Sequence, residues 1–207
     1  PHPARPHHTP SAARGLARGG VPIPSWISEG DPRHDPDQVW ARCYSKAEDE
    51  HTSATFHAQC DGKGPTVTVA KLVSAAGAIE RVVGGYAGVS WALTGDGLNP
   101  SGDGYQTSPT TFLFSLTNGF RHDLIAGKEG RAQYPTSING PAFWYDLKFL
   151  HDMNSGDCNL GDTYACRVGA EEWTARSMCP DNGNCTCQID FCGTAGYANI
   201  FVKLEVW

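Results

Sequence analysis

Six of the eight cysteines, Cys158, Cys166, Cys179, Cys185, Cys187 and Cys192, fall within one stretch of 35 residues whose loops are rich in Asn, Asp and Gly. A segment this polar cannot close a core of its own. An even set of cysteines staples such loops in secreted chains, whereas cytosolic thiols stay reduced. Cys43 and Cys60, 17 positions apart, supply the partners for a fourth bridge. Each bridge stabilises by about 2–4 kcal/mol through restriction of the unfolded chain. Zinc is the competing use, since His57 and Cys60 have a tolerable ligand spacing. However, no C-x-x-C pair occurs, and intervals of 7, 12, 5, 1 and 4 residues between the clustered cysteines match no zinc ribbon. The cysteines therefore predict an extracellular or cell-surface address. Their connectivity stays open.

Of 207 residues, 40% are hydrophobic, enough for one ordinary core. The longest apolar runs, Phe112 to Leu116 and Ile200 to Val202, fall far short of the ~20 residues that cross a bilayer. The chain starts at Pro1 with no apolar signal segment, which reads as a mature or trimmed product. The formal charge is −6, and three arginines with no acid in residues 1–20 leave −9 for the remainder. A basic arm on an acidic body is expected, without the dense basic patch that nucleic acid requires.

Residues 1–36 hold eight of the 14 prolines and four of the eight histidines. They read as an extended arm of largely polyproline II character, able to span on the order of 100 Å. Val21 to Ile27 is its one apolar stretch. Pro22, Ile23, Pro24, Trp26 and Ile27 are therefore the expected assembly anchor, on the chain's own domain or on neighbouring subunits.

Residues 37–207 form the expected domain, opening with a short helix through Val39, Trp40, Cys43 and Tyr44. Ala54 to Gln59 and Thr66 to Leu72 read as strands joined by a hairpin at Asp61-Gly62-Lys63-Gly64. Further strands are expected at Arg81 to Tyr86, Thr110 to Leu116, Phe143 to Leu150 and Asn199 to Trp207. In the last, Ile200, Val202, Leu204 and Val206 alternate with Phe201, Lys203 and Glu205. A cysteine-rich insert spans 152–192, with a short helix expected at Glu171 to Ser177.

Several motifs in order carry a resemblance. They are Ser53 to Val69 with Phe56-His57 and Cys60-Asp61-Gly62-Lys63-Gly64, then Val83-Gly84-Gly85-Tyr86 to Trp91. Thr111 to Leu116, Gly140-Pro141-Ala142-Phe143 with Tyr145-Asp146-Leu147, and the closing Ile200 to Trp207 follow. Together, over about 38–207, they resemble the TLDc family. The resemblance implies a mainly β fold, a two-sheet antiparallel β-sandwich flanked by short helices. It brings no catalytic residues, since intracellular members act by binding, in oxidative-stress resistance and proton-pumping ATPase regulation. The cysteine-rich insert and the Pro/His arm depart from that group and point to a secreted branch.

No hydrolase, metalloprotease or phosphate-loop motif is present, and the chain is not read as an enzyme. His57 is expected as a hydrogen-bonded core histidine, His122-Asp123 as a turn or surface pair, and Gly84-Gly85 as a β-bulge that permits close packing. Calcium is the one cofactor the residues suggest, at Asp152 to Asp162 or Asp96 to Asp103, although neither loop has the EF-hand order. Asn184-Cys185-Thr186 is the only N-glycosylation sequon, and a disulfide at Cys185 would compete with its use. The leading functional expectation is a structural subunit of an extracellular filament or surface assembly, a homopolymer linked through its arm. The alternative is a secreted glycan- or protein-binding module using Trp91, Tyr105, Trp144 and Trp173.

Overall fold

The computed structural model describes residues 23–35, 37–74, 80–91, 105–168, 171–173, 191–193 and 199–207. Among the described residues the fold is mainly antiparallel β, with short α-helices α1 (Ile23–Gly30) and α2 (Ser53–Cys60) and a helical pair at 191–192. The strands are β1 (Tyr44–Ser45), β2 (Thr66–Ser74), β3 (Glu80–Ala87), β4 (Phe112–Ser115), β5 (Phe120–Asp123), β6 (Asn139–Phe143), β7 (Leu147–Leu150), β8 (Ser155–Cys158), β9 (Cys166–Val168), β10 (Glu171–Trp173) and β11 (Asn199–Val206). Nine of them form one sheet in the order β5-β4-β3-β2-β11-β8-β7-β6, with β1 added to β11. The expected two layers are thus one continuous hydrogen-bonded sheet, which curls so that its two ends enclose a core. Two contacts show the curl. The ring of Phe143 on β6 lies where a Cβ on Gly85 of β3 would sit, 2.5 Å away. The end of β5 meets the segment after β8 through a Leu124–Tyr164 bridge.

The inner face carries the main core, in which Phe56, Leu72, Val83, Trp91, Leu113, Phe143, Phe149, Phe201 and Leu204 are buried together. β3 pairs in unbroken register with β2 and β4, so Gly84-Gly85 is not a bulge. Its glycines serve close packing instead, because a Cβ at Gly84 would strike the Thr68 carbonyl and the Phe114 ring.

The segment 53–60, expected as a strand, is helix α2. The Thr52 side chain accepts from the Thr55 amide at 3.1 Å and starts the helix. Asp61 to Gly64 is accordingly a helix-to-strand turn rather than a hairpin, with Gly62 and Gly64 at φ +72° and +91°. Residues 38–43 form no helix, and Phe143 to Leu150 spans the end of one strand and a second, separated by a turn at 144–146. Glu171–Trp173 is a strand paired with β9, not the start of a helix. In β11 the register shifts between Phe201 and Lys203. Phe201, Leu204 and Val206 are buried, while Ile200 and Val202 face outward, opposite to a strict alternation.

Candidate functional site

The expected assembly anchor is the first functional feature the structure places. Residues 23–30 are not extended. Ile23, Trp26 and Ile27 have the i, i+3, i+4 spacing of one helix face, and Pro24 sits in the first turn, where its missing N–H costs nothing. That face lies on the outer side of the sheet, buried against Val67, Tyr86, Phe112 and Phe114. Pro24 is exposed, and Pro22 lies outside the described residues.

A polar latch holds the end of the helix. Asp31, 2% exposed, accepts from Tyr86 Oη at 3.0 Å and from Arg33 Nε and Nη2 at 2.8 Å each. The hydrogen-bonded Arg33 guanidinium holds the Asp31 carboxyl well below the usual carboxylate range, while burial and the Asp31 bond push the Tyr86 phenol up. Arg33 also donates to the Gly88 carbonyl at 3.1 Å. From the other side Arg121 donates to the Trp26 carbonyl at 2.7 Å, pairs with Asp123 and lies 4.4 Å over the Phe112 ring. Sequence reading missed Asp31, Arg33, Tyr86 and Arg121, although Ile23-x-x-Trp26-Ile27 carried a helical signal.

Two bridges are formed among the described residues, Cys43–Cys60 and Cys158–Cys192. The first ties the extended segment before β1 to the end of α2. The second ties β8 to the end of the cysteine-rich insert. Cys166 is also disulfide-bonded. Cys179, Cys185, Cys187 and Asn184 lie outside the described residues.

His57 is buried against its partners, as a core histidine should be. Its Nε2 donates to the Thr136 and Asn139 carbonyls at 2.9 and 3.0 Å, and Nδ1 meets Asp61 at 2.8 Å. Both nitrogens are occupied in joining α2 to β6 and to its own C-cap. His122, expected at a turn or surface, is instead buried in β5 with Nδ1 donating to the Ala165 carbonyl at 3.0 Å. Asp152 is committed to its own turn, accepting from the Asn154 and Ser155 amides. The other calcium-loop residues, Asp96 to Asp103, lie outside the described residues, and no group of three His, Cys, Asp or Glu among the described residues could hold a metal.

The aromatic residues read as binding candidates are distributed differently. Trp91 is a core side chain whose Nε1 donates to Thr66 at 2.9 Å. Trp144 stands at the β6–β7 turn with φ +52°, a left-handed conformation that bulky residues rarely adopt. Donation from its Nε1 to Asp162 at 2.6 Å and packing against Tyr105, Tyr134 and Tyr145 hold it there. Tyr145, 40% exposed, presents the most surface of this group. The side chain of Trp173 is not described.

Two residues on, Asp146 is fully buried and accepts from the amides of Gly161, Asp162, Thr163 and Tyr164. It thereby organises the loop after β8. Burial pushes its carboxyl up to about 7 against the pull of those four donors.

No helix among the described residues is long and apolar enough to cross a membrane. No curated protein matches the chain. The family model of the TLDc domain matches residues 23–168. The match begins at the first residue of α1, so this helix belongs to the family unit as well as to the packed body. On the sheet, the motifs it carries and this match, the chain belongs to the TLDc domain family.

Proposed function

We propose that this TLDc domain is a structural subunit of an extracellular filament or cell-surface assembly, linked by its N-terminal arm docking on a neighbouring copy, and that it acts by binding rather than by catalysis. The latch at α1 carries the reading. Asp31, Arg33 and Arg121 hold residues 23–35 on the chain's own sheet, which fixes the point at which residues 1–22 join the body. That arm has five prolines and no acid, so it gains little by folding alone and is steered toward an acidic neighbour. Ile23, Trp26 and Ile27 set the geometry of departure instead of bridging subunits. A head-to-tail link of this kind propagates without closing. The disulfides support an oxidising, extracellular setting.

Electron microscopy with light scattering on the full chain and on a variant lacking residues 1–22 tests the reading. Filaments from the first and monomers from the second are expected; monomers from both would overturn it. Truncation at residue 37 is the wrong control, because it strips α1 from the sheet and exposes Phe112 and Phe114.

A secreted glycan-binding module is the second reading, supported by the exposed ring of Tyr145 beside Trp144. Binding on a glycan array that disappears in Tyr145→Ala, with the melting temperature unchanged, would favour it.

A further inference from the structure

On the side of the domain that carries the Cys43–Cys60 bridge, a half-open groove of about 570 Å³ is lined by Trp40, Trp207, Val39, Pro65, Arg42 and Lys63, among others. Its floor is aromatic and aliphatic. Val39 is 82% exposed, the most exposed large hydrophobic residue described. Its side-chain donors include Arg42, Lys63 and the indole N–H of Trp207. Residues 39–42, along one wall, form no helix or strand, and neither their N–H nor their C=O groups make a backbone hydrogen bond among the described residues. Trp207 Nε1 is buried with no acceptor among the described residues, and the Arg42 guanidinium lies 5.7 Å from the centroid of its ring. Lys63 adds an ammonium. One unmatched acceptor, Gln59 Oε1, completes the set.

Such a lining selects its ligand by chemistry. An orphaned buried N–H costs about 1–3 kcal/mol, which a ligand carbonyl would recover. A proline-rich strand is the complementary molecule. It offers carbonyls and prolyl rings, lacks N–H at each proline, and enters an aromatic groove already close to its bound shape. Charge does not oppose it: Arg42 is paired with two carboxylates, Glu48 at 2.5 Å and Glu205 at 3.3 Å, and together with Lys63 these charges cancel. The charged residues of the first 22 positions are Arg5, Arg14 and Arg18 alone.

We infer that this groove is the receptor for the proline-rich arm, residues 1–22, of a second copy of the chain. The inference rests on the assembly reading and gives it an address. At about 3.1 Å per residue the arm spans roughly 70 Å, against about 40 Å for a body of this size. At that length an arm anchored at α1 is long enough to pass its own domain and enter the groove of the next.

The test uses the full chain with p-benzoylphenylalanine in place of Val39, mixed with an equal amount of ¹⁵N-labelled chain lacking the probe. After irradiation, mass spectrometry should find position 39 joined to ¹⁵N peptides from residues 1–22. In parallel, Val39→Lys places a cation at an exposed position and should weaken assembly about tenfold or more, roughly 1.4 kcal/mol per decade, with the melting temperature unchanged. Cross-links to the probe's own arm or to another segment, or a Val39→Lys chain that assembles like the parent, would overturn the groove assignment while filaments still form. A parent chain that stays monomeric would overturn the assembly reading and this one with it.

Discussion

Trp26→Ala probes the docking of α1 most directly. Trp26 is 6% exposed and packs on Phe114 with ring centroids 6.1 Å apart. A buried tryptophan removes on the order of 200 Å² from water, and about 25 cal/mol per Å² gives an upper estimate of roughly 5 kcal/mol. Large-to-small substitutions at such sites cost about 3–5 kcal/mol. An eight-residue helix has no stability of its own in water, so α1 exists only while docked. The loss therefore falls on the docking equilibrium, leaving Ile23, Ile27 and the Asp31 latch to hold the segment. Hydrogen exchange read by mass spectrometry should show peptides from 23–35 exchanging about 10²-fold or more faster. Those from β2 and β3 should keep their protection. The melting temperature should fall, by no more than the docking free energy allows. Unchanged protection at 23–35 would refute the anchoring role of Trp26. Deprotection of β2 and β3 to the same extent as α1 would refute the idea of a separately docked segment.

Asp146→Asn keeps the volume and an acceptor for three of the amides but turns its NH2 toward the Thr163 N–H, and should destabilise by about 1–3 kcal/mol in thermal or urea unfolding. The parent carries a matching pH signature. Because the native carboxyl is raised to about 7 from 3.8, the folded state binds its proton more tightly than the unfolded chain. The stabilisation is complete below pH ~4 and lost as pH rises through about 7, a slope that Asp146→Asn should abolish when melting temperatures are compared from pH 5 to 8. Gly85→Ala places a Cβ 2.5 Å from the Phe143 ring, and should cost about 1–3 kcal/mol by overpacking in the same unfolding assay. Replacing Cys43 and Cys60 together by Ser frees a loop of 17 residues and should cost about 3 kcal/mol, with non-reducing peptide mapping of the parent showing the Cys43–Cys60 pair.

Much of the sheet was legible in the residues. Thr66 to Leu72, Arg81 to Tyr86 and Thr110 to Leu116 are rich in apolar, β-branched and aromatic residues, and each contains or overlaps an observed strand, the third beginning two residues later than expected. The family was legible for a related reason, since its motifs lie on these strands and on the turns between them. Cys43 and Cys60, set apart from the other six cysteines, were open to pairing with each other, and the fold joins them. The candidate site was less accessible. Prolines at 22 and 24 suggested an extended arm, and masked a three-residue apolar stripe that becomes a helix only on meeting Phe112 and Phe114.

The linear chain therefore determined composition, cysteine supply and the local preference of its strongest strands, because those depend on side chains a few positions apart. Contacts between distant residues decided the remainder. Ser53–Cys60 is helical because Thr52 caps it and His57 bonds across to residues 136 and 139. β11 reverses its faces at a bulge because Phe201 packs on Phe149, at 4.3 Å, in a strand that must also pair with β2. Asp31, Tyr86 and Arg121 become a latch, and Trp40, Pro65 and Trp207 a groove, only after the sheet curls. No local rule brings residues 31 and 86, or 40 and 207, together; burial of the apolar faces between them does.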